Sequence, residues 1–302
     1  MKSKISNNKK ILVSENTWFW LLLAPFLLMF FLFTVIPILS SAVLSMFEFD
    51  LIAKLKFVGF NNYIRLILND NVFSIVLSNT VLFALIAGPL GFLLSFVLAW
   101  FINEFRPIVR TILSFLFYAP ALVGNAYFVW QVAFSNDSYG YVNSLLLSLG
   151  LITSPIQWLK NADYVATIVL VVQLWQSMGV SFLANISGLQ NINNEMYEAG
   201  AIDGIRNRWQ ELWYITLPTM KHMLLFSAVM QIASSFSISA IAIQLAGYPS
   251  VEYAADTIVS YMADVGTVRY EMGYASAMSV VLFAIMGLTR WIVSKALNGT
   301  GR

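Results

Sequence analysis

Charge is distributed unevenly along this chain. Residues 16–47, 71–103, 111–136, 164–194, 222–251 and 272–289 contain no Asp, Glu, Lys or Arg, and polar clusters separate these runs. A bilayer core of about 30 Å is crossed by roughly 20 apolar residues in helical form. Each run therefore predicts one membrane-spanning helix, the last being short but sufficient between Gly273 and Arg290. The expected fold is all-α and polytopic: six transmembrane helices in one domain covering residues 1–302. Lys2, Lys4, Lys9 and Lys10 before the first run also fit a secretory signal. The run is far longer than the usual 7–15 residues of a signal core, which favours an uncleaved span.

One polar segment stands out, "NINNEMYEAGAIDGIRNRWQELWYITLP" at 191–218. Asn194 fits a helix N-cap, and Glu195 and Glu198 suit the positive end of a helix dipole. The expected helix covers 195–202. It presents Ala199, Gly200 and Ala201, small enough for close approach, beside a stripe of Met196, Ala199 and Ile202 at helical spacing. Asp203-Gly204 is a turn dipeptide that stops it. Trp209 and Trp213, four apart, predict a short helix over 208–214 at headgroup depth. Pro218 suits the first turn of the next span. So much local order exceeds what a solvated connector needs and favours a docking role.

Composition agrees with a lipid environment. The chain is 59% hydrophobic and 11% charged, against about 45–50% and 25% in soluble domains. There is no cysteine, so disulfides and thiolate metal sites are excluded. A net charge of +2 is too small to point to nucleic acid. With an even number of spans both termini share a side. Placing them in the cytoplasm puts 12 of the 17 basic residues inside, as the positive-inside rule requires. Arg106, Arg110, Arg206, Arg208, Lys221, Arg290, Lys295 and Arg302 join the four N-terminal lysines there. Lys54, Lys56, Arg65, Lys160 and Arg269 stay outside. The expected cytoplasmic parts are residues 1–15, the loop 191–215 and the tail 290–302.

Absences narrow the chemistry. No G-x-x-x-x-G-K-[ST] occurs, so nucleotide binding by this chain is not expected. The single histidine, His222, lies at the mouth of a span and reads as interfacial. No catalytic triad, metal-ligand set or paired carboxylate lies within the runs, so neither catalytic nor metal residues are assigned. The spans also lack the buried charges through which ion-coupled carriers usually work. An energy source outside the chain is the better reading, although a sodium carrier using only hydroxyl and backbone oxygens stays open.

Glu198-Ala199-Gly200, then Asp203-Gly204, then Ile215-Thr216-Leu217-Pro218 resembles the "EAA" loop of permease subunits of ATP-binding-cassette importers. "FVGFNNYIRLI" at 57–67 and "GYASAMSVVLF" at 273–283 are similar to the maltose-type carbohydrate family, and the likeness runs from about 18 to 297. The resemblance implies a second homologous permease, a cytoplasmic ATPase dimer that holds the ATP and Mg, and an extracytoplasmic solute-binding protein. It implies that the loop between spans four and five is a coupling helix, with Glu198, Ala199, Gly200, Asp203 and Gly204 at the ATPase. Gly200 departs from the motif's second alanine and should weaken the helix by up to about 1 kcal/mol. The loop 245–273 departs from the family's Gly-Gly-Pro turn.

A neutral, hydroxyl-rich solute calls for aromatic faces and uncharged hydrogen-bonding groups. Tyr127, Trp130 and Gln131 offer these in the third run, Gln173, Trp175, Gln176 and Asn185 in the fourth, and Gln231, Ser234, Ser235, Ser237 and Gln244 in the fifth. Polar groups in membrane helices also serve simply to join neighbouring helices. The leading expectation is the permease of a carbohydrate importer, the cargo being an oligosaccharide. A glycerol-phosphate or polyol importer is the near alternative; a membrane enzyme and a secondary carrier are the distant ones.

Overall fold

The computed structural model describes residues 15–50, 54–124 and 126–299. Residues 1–14 and 300–302 of the expected N-terminal segment and tail lie outside the described residues.

Among the described residues five helical stretches are long and apolar enough to cross a membrane: Phe19–Leu44, Asn71–Asn103, Ala162–Gln190, Lys221–Ala246 and Met272–Lys295. The third expected span differs. It is built from Pro107–Leu122 and Phe128–Ala133, with Val123 extended between them. Sixteen helical residues rise only about 24 Å, so both pieces are needed to match a bilayer. The last span runs past Arg290 to Gly299, longer than the uncharged run suggested. A cation near a helix end can extend its ammonium or guanidinium to the headgroups. A two-residue antiparallel ladder, Phe47–Glu48 with Lys56–Phe57, is the small exception to an all-helical fold.

The second span is the axis of the bundle. Its buried residues Phe73, Val76, Thr80, Phe83, Ala87, Gly91, Ser95, Ala99 and Ile102 recur three or four apart and form one face. They feed three apolar clusters. Phe73 and Val76 pack with Tyr261, Tyr274 and Met278; Phe83 with Val169, Val172 and Ile241; Phe96, Ala99 and Ile102 with Phe182, Ile186, Leu212 and Ile215. The first span lies at the edge of the bundle, its stretch Ile36–Leu44 resting on the last span. None of residues 19–44 is buried, and its side-chain hydrogen bond to the bundle joins Ser41 to Ser279 at 2.8 Å. Exposed apolar side chains such as Leu22, Phe33, Ile108 and Phe115 cover the outside, as suits a molecule whose solvent is lipid.

The two ends differ. Loop 191–220 lies at one end. At the far end Asp70 caps the second span, its Oδ1 accepting the Phe73 N–H at 2.9 Å. Its Oδ2 accepts the hydroxyls of Tyr261 and Tyr274, each at 2.7 Å. Arg65 bridges Glu271 and lies 4.1 Å over the Tyr274 ring. A lobe between the third and fourth spans is organised by buried Asn143. Its Nδ2 donates to the carbonyls of Ser135, Asp137 and Ile156, and its Oδ1 accepts from Ile156 N–H and Trp158 Nε1.

Candidate functional site

Three spans break, and the breaks meet. The third stops at Leu122 and resumes at Phe128. The fourth stops at Gln176 and resumes at Val180. The fifth stops at Phe236 and resumes at Ser239. Residues at or near all three interruptions line one cavity of about 500 Å³. Its polar wall includes Tyr118, Tyr127, Gln173, Gln176, Ser234 and Ser237, and the small residues Gly124, Gly179 and Ala240 leave room between them. The lining contains no Asp, Glu, Lys, Arg or His. Gln173 is buried, and its Nε2 donates to the Ser234 carbonyl at 3.1 Å, so the fourth and fifth spans are tied where both are interrupted. The buried Oε1 of Gln176 has no protein partner among the described residues. Such a group is costly unless water or a solute satisfies it.

Of the residues singled out in the sequence, Tyr127, Gln173, Gln176, Ser234 and Ser237 meet at this cavity. Gln131 lies instead in a separate hollow of about 380 Å³ with Ser135, Asp137 and Tyr139. Trp130 stands in a run of rings, 5.6 Å from Trp175 and 5.9 Å from Phe134. Gln231 is 1% exposed and donates to the Ala87 carbonyl at 3.4 Å. It fills the space a side chain at Gly91 would need and joins the second and fifth spans. Tyr118, Ser177 and Ser181 also line the cavity and were not singled out. The interruptions "APALVG", "QSMG" and "SSFSIS" are the sequence signal for them, since broken membrane helices commonly frame midplane sites.

The loop folds as helix Asn194–Ile202, turn, then Arg208–Glu211 running into the wide turn Leu212–Thr216. The N-cap is Asn193, whose Oδ1 accepts the Glu195 N–H at 3.1 Å; this is one residue before the expected Asn194. Gly204 takes φ +96°, favoured by glycine. Ile205 N–H then reaches the Gly200 carbonyl and Gly204 N–H that of Ala201, the paired bonds of a Schellman stop. Tyr197 and Gly200 face inward, with the Tyr197 hydroxyl 3.0 Å from Thr216 Oγ1. Glu198, Ala199, Ala201 and Ile202 face outward, Ile202 being 87% exposed. Beside them a groove of about 610 Å³ is lined by Met196, Ala199, Gly200, Asp203, Gly204 and Tyr214, among others.

The loop is also fastened sideways. Arg208 donates to Glu211 at 2.7 Å and to Glu104, past the end of the second span, at 2.6 Å. The Trp209 ring lies 5.5 Å from that of Trp100. Among the described residues no group of three His, Asp or Glu is placed to hold a metal.

Residues 87–298 match the family described as "Binding-protein-dependent transport system inner membrane component". The chain is 31% identical to the probable ABC transporter permease protein YesP of Bacillus subtilis, covering 93% of this chain and 90% of that protein. It is 30% identical to the arabinooligosaccharides transport system permease protein AraP of the same organism, over 99% and 94%. It is 33% identical to the lactose transport system permease protein LacF of Rhizobium radiobacter, over 70% of each. A crystal structure of a bacterial ABC transporter that imports the acidic polysaccharide alginate has a chain of the same fold. Its TM-score is 0.76 at 21% identity, over 95% of this chain and 98% of that one.

Proposed function

The chain belongs to the binding-protein-dependent transport system inner membrane components, and from that premise we propose how it works: as the permease subunit of an ATP-binding-cassette importer of carbohydrate. It is a transport permease and not an enzyme. Its cargo in this reading is a neutral oligosaccharide. The carrying observation is the charge-free polar cavity framed by three broken spans. Sugar hydroxyls exchange hydrogen bonds with the amides of Gln173 and Gln176 and the hydroxyls of Ser234 and Ser237, while Tyr118 and Tyr127 offer ring faces. The names of AraP and LacF support the cargo class.

In this reading the cargo arrives from an extracytoplasmic solute-binding protein, and the path is completed by a second homologous permease. The bare first span, with no buried residue over 19–44, supports a protein neighbour as well as lipid. Helix Asn194–Ile202 seats in a cytoplasmic ATPase that holds the ATP and Mg. Glu198 and Ala199 meet the ATPase, Gly200 lets the helix lie close to its own subunit, and Asp203-Gly204 ends it. The protein lies in the bacterial inner membrane with both termini and loop 191–215 cytoplasmic, supported by the excess of basic residues on that side.

The test is purification with co-expressed neighbouring proteins, then uptake into vesicles of whichever saccharide the binding protein retains. Gln176→Ala and Ser234→Ala should lower uptake and leave subunit assembly intact. Normal uptake by both variants would remove the cavity from the path, and absence of a copurifying ATPase would remove the importer class.

A further inference from the structure

The chain joins helix Asn194–Ile202 covalently only to the fourth and fifth spans. The second span, the axis of the bundle, has no such connection. It nevertheless backs the cavity: the space beside Gly91 is filled by the amide of Gln231 and approached by Ser177 Oγ, and Ser177 lines the cavity. Thirteen residues separate Gly91 from Glu104, about 20 Å of helix. A push at Glu104 along the helix axis would therefore reach that wall.

From these contacts we propose that Arg208 is a positioning residue that couples the loop to the second span. Its guanidinium is a two-sided clamp, held to its own short helix by Glu211 at 2.7 Å and to Glu104 at 2.6 Å. Trp209 adds a ring contact to Trp100 at 5.5 Å. Beneath the clamp, Ala99 and Ile102 of the second span pack with Leu212 and Ile215 of the loop. A planar guanidinium makes directional bonds with two carboxylates that a lysine could not reproduce. An exposed ion pair adds little to stability, so its value here lies in direction. The second span already packs on the fourth and fifth, and the clamp adds to that packing a direct link from the loop to its cytoplasmic end. The proposal rests on the reading of 194–202 as the ATPase seat.

The absence of cysteine makes the test direct. Nitroxide labels at Phe101→Cys and Trp291→Cys report the second span against the last. Labels at Leu183→Cys and Trp291→Cys report the fourth. All three positions are exposed. Distances are measured in the assembled transporter in vesicles, before and after trapping with Mg-ATP and vanadate.

We expect both distances to change in the parent protein. With Glu104→Arg, the 183–291 change should persist while the 101–291 change shrinks. Adding Arg208→Glu together with Glu211→Arg, which restores both opposite-charge pairs, should bring it back. A full 101–291 change in Glu104→Arg, or no recovery in the triple variant, would overturn the clamp while leaving the ATPase seat standing. If neither distance changes in the parent protein, the seat fails and the clamp with it.

Discussion

The backbone of Gly200 lies so close to the side chain of Ile215 that a methyl group on Gly200 would stand 2.7 Å from Ile215 Cδ1. The helix thus rests directly on the wide turn behind it. Gly200→Ala should gain about 1 kcal/mol of helix propensity and displace only the flexible tips of Ile215 and Ile205. We expect it to keep ATPase association. Gly200→Leu cannot fit and should lift the helix, lowering ATPase copurification at least severalfold. Equal copurification by the two variants would refute the close seating.

Glu198 faces outward on the motif position, beside the groove. Removing one partner of a desolvated charge contact costs roughly 2–5 kcal/mol, against very little for a solvated residue. Glu198→Lys should therefore weaken ATPase association or uncouple hydrolysis from uptake, with membrane insertion unchanged. Leu149→Gln, exposed at the far end, is the control expected to retain both. Parent values for Glu198→Lys in copurification and stimulated hydrolysis would make the loop a connector.

The orientation can be read with impermeant thiol reagents on intact cells. Tyr139 is 91% exposed at the far end and Ile202 87% exposed on the loop. Tyr139→Cys should label and Ile202→Cys should not; the reverse pattern would invert the topology. Asn62 is unsuited to this use, because its amide is buried against the carbonyls of Ser45 and Phe47.

Asn143 satisfies five hydrogen bonds at the centre of the lobe over 134–161. Asn143→Ala leaves these groups unpaired, at about 1–3 kcal/mol for each that water cannot reach. Limited proteolysis should then cut within the lobe well before the spans. A lobe as resistant as the parent's would show that Asn143 does not organise it.

Asp256 is fully buried, and burial raises its carboxyl above the ordinary range despite hydrogen bonds from Ser250. A raised acid pKa means the folded protein holds its proton more tightly than the unfolded chain. Stability then falls as pH rises from the ordinary value of 3.8 towards the raised one. Asp256→Asn removes this loss. In detergent its melting temperature should gain on the parent's as pH rises above the ordinary carboxyl value of 3.8. A gap that is constant with pH would contradict the assignment.

Much of this fold can be read in the sequence, because five spans follow from uncharged runs and the loop helix from its polarity, small residues and Asp203-Gly204. The N-cap is displaced by one residue because Asn193 and Asn194 are chemically equivalent candidates. The buried face of the second span is hidden in the sequence for a different reason. Leu82, Leu85 and Leu93 face outward and are as apolar as the core, so periodicity carries no contrast. Gln231 shows the same limit among polar residues: its composition suits a passage, yet it closes a helix contact. Whether an amide faces a neighbour or a hollow depends on where spans break. The Pro, Gly and Ser that permit a break do not show which breaks share a level.

The charge-free cavity has an electrical consequence. An ion entering it would shed hydration without meeting an opposite charge, which is strongly unfavourable away from bulk water. A sugar loses far less, since the amides and hydroxyls replace its water one bond at a time. In the proposed role, such a wall would favour a neutral polar solute over an ion wherever water is excluded from it.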